Sequence, residues 1–178
     1  VGKTTLVSKL AYDWARERTY ISGFEMLFVL DIRYVKAYMD LIDVLQNQLL
    51  SKLSRQGMLD YLKDNPSTAI FIFDGFDESS EQFIQSRRDI EDVFRSTWLQ
   101  DSLVLVTTRP HKMHEFMMTF GAYAKIKLNG FSAKNVENYV DKFTNAGRIN
   151  QEEHHKPGDL KSFLLNNGKI HTHHGQYN

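Results

Sequence analysis

The amino-acid sequence predicts an α/β fold, a three-layer sandwich in which helices cover a parallel sheet. Three observations predict it. Short apolar segments alternate with amphipathic ones across residues 1–130, the pattern expected when each strand of a parallel sheet is followed by a covering helix. Two of the apolar segments, 68–74 and 103–108, are nearly continuous, as strands buried on both faces are. Both end abruptly in polar or charged residues, and ligands of open α/β sheets collect at carboxyl strand ends.

The elements follow in order. Leu6, Leu10 and Trp14 recur at i, i+4 and i+8, which predicts a first helix. Residues 24–32 read as a strand. Leu41, Leu45, Leu49 and Leu53 keep the helical spacing and predict a second helix ahead of the strand at 68–74. Phe83, Ile90, Phe94 and Trp98, with Val93 beside them, form a third stripe, consistent with a crossover helix into the strand at 103–108. Met113, Phe116, Met117, Met118 and Phe120 are assigned to core or interface. Residues 124–128 are a fourth strand candidate. Ser132 is expected to cap a last helix, with Phe131 and Val136 as a hydrophobic staple and Val136, Tyr139, Val140 and Phe143 as its apolar face. Beyond about residue 145 the pattern degrades into Asn, Gly, His and Lys, so 1–145 is expected to be the domain and 146–178 a poorly ordered tail or the start of a following helical region.

Composition narrows the function classes. The 178 residues are 42% hydrophobic, enough for one sizeable core. Lys plus Arg number 22 and Asp plus Glu number 22, so the chain has no broad positive field for nucleic acid or an anionic membrane. No apolar stretch is long enough to span a bilayer. The absence of cysteine removes disulfides and thiolate metal sites and is compatible with a cytoplasmic location, which is the expectation. His154, His155, His171, His173 and His174 have no patterned carboxylate or thiol to complete a metal site.

Chemistry concentrates in three motifs. The chain begins Val1-Gly2-Lys3-Thr4-Thr5-Leu6, the second half of G-x-x-x-x-G-K-[ST] running into a helix. A small Gly2 lets backbone N–H groups approach phosphate oxygens, the helix start adds its positive dipole end, Lys3 supplies a mobile charge, and the Thr4 hydroxyl can ligate Mg²⁺. The second motif is Asp74-Gly75-Phe76-Asp77-Glu78 at the end of a buried strand. Asp74 stands where an acceptor for the Mg²⁺ hydration shell is needed. Asp77 and Glu78 are both candidates to orient or deprotonate an attacking water. The third is Thr107-Thr108-Arg109-Pro110, in which Arg109 can bind phosphate oxygens bidentately and Thr107 or Thr108 can hydrogen-bond the water or the phosphate.

Together these motifs resemble a NACHT domain, the P-loop NTPase module of NOD-like receptors and related signal-transducing ATPases. The resemblance covers roughly residues 1–145. Residues 26–33 resemble the family's second strand ending in Arg, 74–78 its extended Walker B, 107–110 its sensor 1, and Gly130-Phe131-Ser132 the opening of the helix after its fifth strand. The sister NB-ARC group would carry two adjacent aspartates where this chain has Asp74-Gly75 followed by Asp77-Glu78. The resemblance implies a strand order of 5-1-4-3-2, with the first strand and the leading glycine of the loop expected before Val1, so that the chain reads as a fragment that binds nucleotide poorly by itself. It assigns Gly2, Lys3, Thr4, Thr5 and Thr108 to nucleotide binding, Thr4 and Asp74 to Mg²⁺, Asp77 and Glu78 to hydrolysis, and Arg109 to sensing the γ-phosphate. A Gly-x-Pro element is not recognisable; only Pro157-Gly158 is nearby. The implied function is a molecular switch that binds and hydrolyses ATP, with GTP left open, in an innate-immune-type signalling receptor, where nucleotide controls self-association and protein partners act through other domains. The alternative is a catalytically degenerate scaffold for protein assembly.

Overall fold

A computed structural model describes residues 2–35, 40–48, 54–79, 88–121 and 123–145. Within the unit Gly2–Leu128, three strands pair in parallel: β1 (Met26–Asp31), β2 (Ala69–Asp74) and β3 (Leu103–Val106), with β2 in the middle. Its central place explains its composition. Every residue of β2 is buried, and only Asp74, its last residue, is polar. The register sets Asp31 opposite Asp74 and Phe73 opposite Val106, so Asp31 and Asp74 end β1 and β2 side by side at the carboxyl edge, where Thr107 follows the last residue of β3.

Alternation along the strands divides the core into two layers. Phe28, Leu30, Phe71 and Phe73 point to one face, where they meet α2 (Leu41–Gln48), α3 (Arg55–Asp64), α4 (Arg88–Phe94) and α5 (Pro110–Phe120). That layer is aromatic. Phe73 meets Phe94 edge to face at 4.8 Å, and Phe76 meets Phe116 in the same way at 4.9 Å, a preferred geometry for ring quadrupoles. Ile70 and Ile72 point the other way, where Val7, Leu10 and Trp14 of α1 (Lys3–Ala15) cover them. The Trp14 indole also donates to the Phe24 carbonyl at 2.8 Å.

The expected helix at Leu6, Leu10 and Trp14 is α1, and the leucine stripe from Leu41 begins α2; Leu49, Leu53 and Phe83 lie outside the described residues. Other boundaries differ from the reading. The crossover helix stops at Phe94, before Trp98: Ser96 takes a positive φ of 54°, and the Thr97 and Trp98 N–H groups turn back to the Asp92 carbonyl. Trp98 therefore packs on the core from a turn. Ile32 leaves the strand because the Asp31 carboxylate accepts the Arg33 N–H at 3.1 Å and starts a 3-10 turn. Residues 124–128, the fourth strand candidate, form no ladder among the described residues. Two helices went unread. In α3 the apolar residues are sparse, although Ser54 caps it by accepting from Gly57 N–H. In α5, Pro110 supplies the first helical residue, and Phe116 and Phe120 are buried while Met118 is 75% exposed.

The residues from Asn129 onward form a second unit, described to Asn145; the expected tail at 146–178 lies outside the described residues. Its helix, α6 (Ala133–Asn145), starts as expected, with the Ser132 hydroxyl accepting the Asn135 N–H at 3.2 Å. Val140 is buried and Val136 half-buried. Phe131 pairs with the Tyr139 ring, 6.0 Å between centroids.

Candidate functional site

The site is built where α1 begins and the strands end. Gly2 precedes α1 in the left-handed region, φ 89°, where a side chain would be strained. No side chain caps this helix start, so the N–H groups of Lys3, Thr4 and Thr5 in its first turn precede the first intrahelical donor, Leu6. From that turn Lys3 Nζ donates to Asp77 Oδ1 at 2.7 Å, and Thr4 Oγ1 donates to Asp74 Oδ2 at 2.8 Å. These contacts join residues 74 and 70 positions apart in the chain.

Gly75 makes the next step possible. Its φ of 87° turns the backbone out of β2 into a 3-10 turn, Phe76–Glu78, which seats Phe76 in the aromatic layer and sends Asp77 back toward Lys3. The Asp77 side chain is 2% exposed, and its second oxygen lies 2.8 Å from Arg109 Nε in an ion pair. One carboxylate therefore holds two cations from opposite ends of the unit. Burial pushes the Asp77 pKa up, but the Lys3 hydrogen bond and the charges of Lys3 and Arg109 outweigh it and hold the group below the usual carboxylate range.

Thr107 closes the third side. Its hydroxyl donates to Asp74 Oδ1 and accepts the Gly75 N–H at 3.0 Å. Among the described residues the hydroxyl of Thr108 meets the Arg109 carbonyl, at 3.5 Å. Of Thr107 and Thr108, Thr107 is the one that joins the cluster. Glu78 is more exposed and lies 3.4 Å from Arg33 Nε, while Asp31 holds the same guanidinium at 2.8 Å and is itself pulled below its ordinary pKa by it. The resemblance points to Arg33 alone, yet the signal for the Asp31–Arg33 pair is local, since one residue separates an acid and a base at a strand end.

The structure thus brings together Lys3, Thr4, Asp74, Asp77 and Arg109, sets Gly2 and Thr5 in the same helix start, places Glu78 beside Arg33, and leaves Thr108 turned to its own backbone. The open N–H groups of α1 and the two cations suit a phosphate chain. The Thr4 hydroxyl and Asp74 carboxylate are hard oxygen donors of the kind that Mg²⁺ takes. Two cavities lie elsewhere: one of about 620 Å³ beside Trp14, Phe24 and Glu25, and one of about 390 Å³ beside Leu41, Leu59 and Trp98.

A helix start feeding a lysine and a threonine to the acidic end of a buried parallel strand, with an arginine from the loop after the next strand, defines an α/β domain of the P-loop NTPase class. The match to the NACHT domain model runs over residues 1–146, and the chain belongs to the NACHT family, whose domains are nucleotide-binding NTPase modules of signalling proteins. It is 27% identical over 159 residues to NACHT, LRR and PYD domains-containing protein 3 of Bos taurus, covering 80% of this chain and 15% of that protein. It is 30% identical over 159 residues to NACHT, LRR and PYD domains-containing protein 14 of Homo sapiens, covering 80% of this chain and 14% of that protein. With Protein NLRC5 of Mus musculus it shares 26% over 154 residues, 80% of this chain and 8% of that protein. The chain thus spans about one seventh of the first two relatives and less of the third. No helix among the described residues is long and apolar enough to cross a membrane.

Proposed function

We propose that residues 1–145 are the nucleotide-binding domain of a cytoplasmic signalling receptor of the innate-immune type, an ATP-driven switch in which bound nucleotide controls self-association. The single observation that carries this is the convergence on two carboxylates: Asp77 takes Lys3 and Arg109 on its two oxygens, and Asp74 takes Thr4. In this reading Gly2 lets the phosphates approach, the N–H groups of Lys3, Thr4 and Thr5 cradle them, and Lys3 and Arg109 bind their outer oxygens. Thr108 would join the nucleotide contacts by turning its hydroxyl away from the Arg109 carbonyl. Thr4 and Asp74 would hold Mg²⁺, which supplies charge neutralisation of the phosphates when bound. Glu78, exposed and held near Arg33, orients the attacking water, and Asp77 organises the two cations around the group that leaves.

The test separates binding from turnover. In the full-length protein, Glu78→Gln keeps Mg²⁺-ATP binding within about twofold while phosphate release falls by roughly a hundredfold, the scale of a lost general base. A Glu78→Gln protein that hydrolyses ATP at the wild-type rate contradicts the assignment. Wild-type protein that binds ATP without any turnover supports instead the scaffold that assembles with partners and does no chemistry. Competition between ATP and GTP for the same protein decides the base.

A further inference from the structure

Thr107 makes more cross-strand bonds than its place past the end of β3 requires. Its N–H donates to the Phe73 carbonyl at 2.9 Å and its carbonyl accepts the Phe76 N–H at 2.9 Å. Its hydroxyl donates to Asp74 Oδ1 and accepts the Gly75 N–H at 3.0 Å. One residue therefore grips four consecutive residues, 73 to 76, across the point where β2 turns into the acidic loop. Thr107 is 7% exposed and Asp74 5%, so water does not compete freely for these bonds.

The hydroxyl has a single donor hydrogen, and Asp74 receives it. Thr107 therefore cannot donate to a phosphate or an attacking water without releasing Asp74. With Oδ1 fixed by Thr107, the other oxygen, Oδ2, is the one turned to Thr4.

We infer that Thr107 is the positioning residue of this site: it locks the rotamer of Asp74 and the Gly75 turn, so that Oδ2 faces the Thr4 hydroxyl where a divalent cation is to be held. The inference rests on the nucleotide-site reading above. It makes Thr107 act through Asp74 and not on the nucleotide. Partners that fix a metal-binding carboxylate typically carry a roughly ten- to hundredfold effect on metal affinity when removed.

The experiment uses the full-length protein and a fluorescent ATP analogue, titrated with Mg²⁺ and repeated in chelator, with amide exchange at Gly75 as a readout that needs no nucleotide. Thr107→Val removes the hydroxyl at nearly constant shape. It is expected to speed Gly75 exchange, to raise the Mg²⁺ concentration at half-saturation by about tenfold or more, and to leave binding in chelator unchanged. Thr107→Ser restores the donor and is expected to match wild type within about twofold in every readout. If Thr107→Val does not fold, Thr107→Cys replaces it, because a thiol is a weak donor, and an intermediate Mg²⁺ shift is expected. The inference is overturned if Gly75 exchange speeds up with no change in Mg²⁺ dependence, if binding weakens equally in chelator, or if Thr107→Ser behaves like the valine variant. Wild-type protein that binds no nucleotide under any Mg²⁺ concentration overturns the nucleotide-site reading itself, and the inference with it.

Discussion

The two faces of the sheet are held in different ways. On one, Phe28, Phe71 and Phe73 meet four helices and a cluster of rings from Phe76, Phe94, Phe116 and Phe120. On the other, a single helix among the described residues, α1, lies over Ile70, Ile72, Leu27 and Val29, and its first turn is fastened by Lys3–Asp77 and Thr4–Asp74. Non-directional burial holds the aromatic face, whereas α1 combines a thinner apolar contact with polar bonds at the end that carries the site. The domain can yield at α1, the helix at whose start the candidate site lies and the one with the smaller share of the described core.

Substitutions on each face sharpen the contrast. Phe94→Ala removes a fully buried ring that touches Phe73, Phe116 and Phe120 and is expected to lower unfolding free energy by about 3–5 kcal/mol in a denaturant titration. Leu10→Ala, on half-buried α1, is expected to cost about 2 kcal/mol, the low end of such truncations. An equal loss at the two positions would break the comparison. The polar fastening gives a pH signature. The folded pKa of Asp77 is lowered, so its contribution is fully present above the unfolded value near about 4 and is lost as pH falls through the folded value. Wild type is therefore expected to be more stable than Asp77→Asn at neutral pH, with the gap in denaturation midpoint closing below about pH 4; a gap that is constant with pH would remove the ionic fastening. The smallest effect belongs to Arg95→Ala, which breaks the exposed i,i+4 pair with Glu91 at 2.9 Å and should change stability by less than about 0.5 kcal/mol.

Much of this arrangement was legible in the sequence where period and chemistry agreed. The run Ala69–Asp74 announced a strand buried on both faces, and its terminal acid announced the site. The first helix followed from three residues, because α1 buries one narrow stripe. What was missed follows from the same physics. Thr107 shares the parity of Leu105, which faces α1, and Thr108 the parity of Val104 and Val106, which face the rings; period-two counting would have chosen Thr107. Helix α3 shows its core side only through Met58 and Leu62, half-buried Leu59 beside them, too little for a stripe. The rings of α5 read as core without revealing a helix, although Pro110 at its start was a signal. Trp98 kept the helical spacing by coincidence, since a turn at Ser96 ended the helix first.

The start of α1 and the ends of β2 and β3 are proposed to form one nucleotide site. Equilibrium binding of ATP to the full-length protein, with and without Mg²⁺, compared between wild type and Lys3→Ala, tests it most directly. Mg²⁺-dependent binding is expected for the wild type, with a loss of roughly tenfold or more in the variant, whose phosphate-facing charge is gone. Undiminished binding by a folded Lys3→Ala protein would contradict it.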